Sequence, residues 1–97
     1  MIALHLVKAI LDSMNSKQRK TLDAIFAKPT LATLEWDRIE SLLIAVGCNV
    51  IEGNGSRVRF VLGEAVATFH RPHPAKETKK YQVDDARAFL TTIGVTP

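Results

Sequence analysis

Ninety-seven residues carrying a formal net charge of +3 bound this chain to one small domain, with no room for a second core. Hydrophobic residues make up 46% and charged residues 24%, a globular balance that excludes a disordered tail; no apolar stretch is long enough to span a bilayer. A single cysteine, Cys48, excludes an internal disulfide and any multi-cysteine zinc site.

The opening Met-Ile-Ala-Leu-His-Leu-Val-Lys lacks the basic start and small-residue cleavage site of a signal peptide, so the expected compartment is the cytoplasm. Leu4, Val7, Leu11 and Met14 fall at helical spacing, as do Leu22, Ile25 and Phe26. Met14 is also a candidate start residue, which would make 1–13 an upstream, non-native extension. Asn15 and Ser16 are good caps for a helix over about 17–27, and Pro29 lies just beyond its end.

The next helix has the clearest signals. Thr33 is its expected cap, Glu35 and Asp37 suit the positive end of its dipole, and Gly47 suits a left-handed C-terminus. Ile39, Leu42, Leu43 and Val46 make its buried stripe. Val50 and Ile51 follow as a short strand, then the turn Gly53-Asn54-Gly55-Ser56. Arg57-Val58-Arg59-Phe60-Val61-Leu62 alternates with period two, the mark of a half-buried strand. Gly63-Glu64 suits a two-residue type II′ turn, and Ala65 to His70 returns. After Pro72 and Pro74, a last helix is expected over about 82–93, with Val83, Ala86, Leu90 and Ile93 inward and Gly94 at its end. The predicted class is α+β: α-β-β-β-α with a three-stranded antiparallel sheet packed on two helices, plus an N-terminal helical extension. The expected division is 1–32 as that extension and 33–97 as the domain.

Charge is not spread evenly. Residues 1–28 sum to +3, 29–52 to −3, 53–80 to +4 and 81–97 to −1. The basic density therefore lies on the strands and the loop after them. A two-residue turn at Gly63-Glu64 would set Val58 against Phe69 and Phe60 against Ala67 on an apolar side. The other side pairs Arg57 with His70, Arg59 with Thr68 and Val61 with Val66; a β-bulge would undo the pairing. Two arginines beside an imidazole suit a phosphodiester. Guanidinium groups offer planar, permanently charged donors to phosphate oxygens, and an imidazole can exchange a proton near neutral pH. Cleaving RNA through its 2′-hydroxyl needs both functions. An ordinary solvated sheet face would carry the same residue types.

The order helix, Gly53-Asn54-Gly55-Ser56 opening a strand, hairpin, then His73-Pro74-Ala75-Lys76-Glu77 before an amphipathic helix closed by Gly94 resembles the HicA toxins over about 33–96. The resemblance implies a fold like the double-stranded-RNA-binding domain and the toxin role in a type II toxin–antitoxin pair. It further implies an mRNA interferase, an endoribonuclease that cuts messenger RNA and is neutralised by a HicB-type antitoxin. One position departs. The family's catalytic histidine follows the Gly-Ser at the head of the second strand, where this chain has Arg57, and an arginine does not act as a general base near neutral pH. Two readings follow: the acid–base role has moved to His70, with His73 as second choice, or the chain is a catalytically weakened RNA-binding module of the same fold.

The expected RNA contacts are Arg57, Arg59, Arg71, Lys76, Lys79 and Lys80, with the three lysines either tracking a phosphate backbone or simply solvated. His73, between two prolines, is either a turn residue or a second functional ring. His70-x-x-His73 with Cys48 lacks a fourth ligand, so no metal and no cofactor is expected. Gly53-x-Gly55 is a turn and not a dinucleotide loop, because position 58 is valine. Trp36 is expected in the core or at an interface, and His5 has no evident partner. The implied partners are RNA and the antitoxin, and no membrane.

Overall fold

A computed structural model describes residues 12–72 and 77–97. The elements are α1 (Ser16–Ile25), α2 (Trp36–Ala45), β1 (Asn49–Glu52), β2 (Arg57–Leu62), β3 (Ala65–His70) and α3 (Lys80–Thr92). From α2 onward the order is α-β-β-β-α, the α+β class read from the sequence. The sheet is antiparallel throughout, in spatial order β1-β2-β3.

Local chemistry accounts for most boundaries. Asn15 caps α1 in a reciprocal box: its Oδ1 accepts from the Gln18 N–H at 2.8 Å, and Gln18 Oε1 accepts from the Asn15 N–H at 2.9 Å. Thr21, Leu22 and Ile25 form its buried face. The last carbonyls of α1 have a distant partner. Arg87 of α3 donates to the Ile25 oxygen at 2.9 Å and the Ala27 oxygen at 3.2 Å, placing a cation at the negative end of the dipole. Met14, Leu22 and Ile25 thereby belong to the same hydrophobic cluster as the sheet.

Both later helices close in the same way. Gly47, at φ 106°, lets the Cys48 N–H reach the Leu43 oxygen and the Gly47 N–H reach the Ile44 oxygen, a Schellman ending. Gly94 repeats it for α3, with Val95 tucked into the core behind.

The cap of α2 corrects a sequence expectation. Glu35, not Thr33, is the N-cap residue, and no side chain bonds to the helix end. A nonlocal pairing wins: Leu34 is buried, its oxygen accepts from the Thr78 N–H at 2.8 Å, and Glu35 forms an isolated antiparallel bridge with Glu77. The extended backbone this requires ends where α2 begins, leaving Thr33 outside the turn. At the other end of the chain α3 begins at Lys80, two residues before the expected start. Gln82 draws that turn in, because its Oε1 accepts from the Lys79 N–H at 3.2 Å.

Alternation along β2 buries Val58 and Phe60 and exposes Arg57 and Arg59. Beneath the sheet Trp36 meets both inward rings, with centroids 6.2 Å from Phe60 and 5.2 Å from Phe69; the latter two are edge-on at 5.9 Å. Trp36 is therefore a core residue, in arrangements that aromatic quadrupoles favour.

Candidate functional site

The side of the sheet away from Trp36 carries the polar residues. The hairpin register is the one read from alternation: Arg57 pairs with His70, Arg59 with Thr68 and Val61 with Val66, with no bulge. Gly63 alone takes a positive φ in the two-residue turn, 61°, as type II′ geometry requires. Arg57, Arg59, Thr68 and His70 are all exposed. Together with Gly53 and Asn54 they line an open cavity of about 570 Å³.

The turn before β2 shapes one wall. The Gly53 N–H donates to the Arg57 oxygen at 2.9 Å, and the Arg57 N–H to the Asn54 oxygen at 3.2 Å. A Cβ at position 53 would sit 3.2 Å from Arg57 Cβ and 3.3 Å from the Arg57 oxygen, tighter than usual packing. Glycine there lets the turn lie close against Arg57.

His70 has one contact at its ring and one at its backbone, and Arg71 after it is hydrogen-bonded to the turn before β2. The Ser56 hydroxyl is 3.4 Å from His70 Nδ1, Gln82 Nε2 donates to the His70 oxygen at 2.7 Å, and the next residue's N–H donates to the Ser56 oxygen at 2.9 Å. Among the described residues neither Arg57 nor Arg59 forms an ion pair with a carboxylate. Two guanidinium groups without a carboxylate partner beside an exposed imidazole are chemically able to bind a phosphate and move a proton next to it.

Arg71 behaves differently from its neighbours. Its guanidinium donates to Glu40 of α2 at 3.0 and 2.9 Å and to Glu52 of β1 at 2.6 and 2.9 Å. Most of its donors are thus committed to two carboxylates, tying α2, β1 and the end of β3 together. The Arg71 hydrogen bonds hold the carboxyls of Glu40 and Glu52 below the usual carboxylate range, and the two carboxylates raise Arg71 in turn.

A stability prediction follows from this clamp. Carboxyls whose folded pKa is depressed stabilise the fold fully above their unfolded value of 4.5, and lose that contribution as pH falls through the folded value. Arg71→Ala is expected to cost about 1–3 kcal/mol at pH 7 through its bonds to the part-buried Glu40. Glu52, whose side chain is 63% exposed, adds little. Denaturant unfolding of parent and variant should differ at pH 7 and converge at acid pH well below the carboxylate range. An equal gap at both would refute the ion-pair account.

Lys79 and Lys80 are exposed where α3 begins. With His70, Tyr81 and Gln82 they line a second cavity, of about 590 Å³. His73 and Lys76, offered from sequence as a second proton-transfer group and an RNA contact, lie outside the described residues, as does His5. Cys48 sits in the core, where burial pushes its thiol up to about 11, while His70 is on the open face. Among the described residues no three His, Cys, Asp or Glu side chains gather in a metal-binding group, and no helix is long and apolar enough to cross a membrane.

Sequence reading did not single out Gln82, Glu40, Glu52 or Tyr81. Gln82 carries no capping-box signal, because the residue three before it is a lysine, whose side chain has no acceptor for the helix N–H groups. The partners of Glu40 and Glu52 have no local signature.

No curated protein and no solved structure matches the chain. A family model described as "HicA toxin of bacterial toxin-antitoxin" matches residues 36–94, from the first residue of α2 to the glycine that closes α3. That span covers more than half of the sequence and includes the whole sheet and the arginine–histidine pair: the chain belongs to the HicA toxin family of bacterial toxin–antitoxin systems, in which a toxin is paired with an antitoxin.

Proposed function

We propose that this chain binds and cleaves messenger RNA on the open sheet face. Arg57 and Arg59 hold a phosphodiester, and His70 transfers the proton. The observation that carries this reading is the direct cross-strand pairing of Arg57 with His70 on an exposed surface. In a 2′-hydroxyl attack, the 2′-oxygen bonds to phosphorus as the bond to the 5′-oxygen breaks. An imidazole at this place takes the proton from the former or gives one to the latter, while the guanidinium groups offset charge on the phosphorane. Lys79 and Lys80 extend the positive surface along the backbone of the RNA. Arg71 contributes less than its charge suggests, since its donors are occupied. The antitoxin, in this reading a HicB-type protein, offers acidic groups to the same face, and the cytoplasm is where chain and transcript meet.

A second reading has one specific support. Arg57 stands where the family resemblance puts a catalytic histidine, so the chain would be a catalytically weakened module that acts by binding RNA or its antitoxin. Both readings require the face to bind. Arg57→Ala combined with Arg59→Ala should weaken affinity for single-stranded RNA and flatten the plot of log affinity against log salt by about 0.7 per lost contact. Unchanged affinity together with an unchanged slope would refute RNA binding by this face in both.

A further inference from the structure

Beyond the phosphate contacts, we infer that the cavity at the start of α3 receives one unpaired nucleobase of the RNA, stacked on Tyr81. This rests on the RNA-binding reading above and adds to it a base subsite that requires an unpaired nucleotide. Tyr81 is 57% exposed, more than any other large hydrophobic residue described as exposed. It is also the only tyrosine of the chain. It lies in the first turn of α3, where no packing requirement calls for an aromatic ring, since Val83, Ala86, Phe89 and Leu90 already form the buried stripe.

The cavity it lines measures about 590 Å³, within the range of small-ligand sites. His70 borders both this cavity and the one holding Arg57 and Arg59. The two cavities thus meet at His70, and a strand whose phosphate lies at Arg57 and Arg59 is proposed to pass the end of β3 with its neighbouring nucleotide toward the second cavity. Lys79 and Lys80 stand on that rim, cations suited to the strand's next phosphates; Glu77 is the opposing charge there. Gln82 is not free to read a base edge, because its amide is used by the Lys79 N–H and the His70 oxygen. Recognition by Tyr81 is therefore stacking, which tolerates sequence and requires a base free of its duplex.

The probe is a short, labelled, 2′-O-methylated oligoribonucleotide, which lacks the attacking hydroxyl and so reports binding alone. It is measured by fluorescence anisotropy both single-stranded and annealed to its complement. Tyr81→Ala should lower single-strand affinity about 5- to 150-fold, Tyr81→Phe should keep it within about twofold, and neither should change the salt slope. Tyr81→Leu, which keeps apolar bulk in the turn without an aromatic face, should lose as much as alanine, separating stacking from folding. Duplex affinity should not respond to any of the three. Single-strand binding by Tyr81→Ala within twofold of the parent would overturn the inference, as would Tyr81→Phe being as weak as alanine. If those results come with a salt slope still sensitive to Arg57 and Arg59, the RNA-binding reading survives and only the base subsite falls. A parent chain that binds neither form removes both.

Discussion

Alanine at His70 is expected to slow RNA cleavage by about 10²–10⁴-fold, the usual cost of removing a positioned acid or base. The ring is exposed at the end of β3 and contributes nothing to the core, so thermal melting should hold within about 0.5 kcal/mol of the parent. RNA affinity should fall far less than the rate, because Arg57 and Arg59 remain in place. The assay compares purified parent, His70→Ala and His73→Ala on one transcript. If His70→Ala cuts at the parental rate, the proton is moved elsewhere, and a slow His73→Ala would say where. A parent that binds RNA and never cuts it would establish the binding reading, with Arg57 as the reason.

The second large effect is on the fold that aligns this site. Phe60 is fully buried and touches both Trp36 and Phe69, joining α2 to the two strands that carry Arg57 and His70. Phe60→Ala removes a ring the surrounding helices cannot replace, and should cost about 3–5 kcal/mol. A domain of this size has only about 5–15 kcal/mol in total, so the loss is a large share of it and the urea midpoint should fall in proportion. Phe60→Leu, which leaves a smaller gap, should be milder and keep RNA binding. Urea unfolding of the three proteins decides it. A loss below about 1 kcal/mol for alanine would mean that the aromatic cluster does not hold the sheet to α2.

His70 and Phe60 both lie in the hairpin, the part of the fold that local sequence encodes most directly. The period-two alternation of 57–62 and a glycine able to take positive φ at position 63 determine the hairpin register by themselves, because a strand has only two faces and a two-residue turn leaves no slack. The Arg57–His70 pairing, and with it the candidate site, was therefore legible from residues within a few positions of one another. The same holds for the Gly47 and Gly94 helix endings and the Asn15 cap. Tertiary structure decided the rest. Thr33 looked like a cap on local chemistry, but the backbone before α2 pairs with Glu77 and Thr78, more than forty residues on. Arg71 looked like one more cation for RNA, but Glu40 and Glu52 converge on it from separate elements 31 and 19 residues away. Arg87 gave no sign that it closes α1 across 62 residues. A long charged side chain chooses its partner from whatever the packed elements bring within reach, and no spacing rule along the chain encodes that choice.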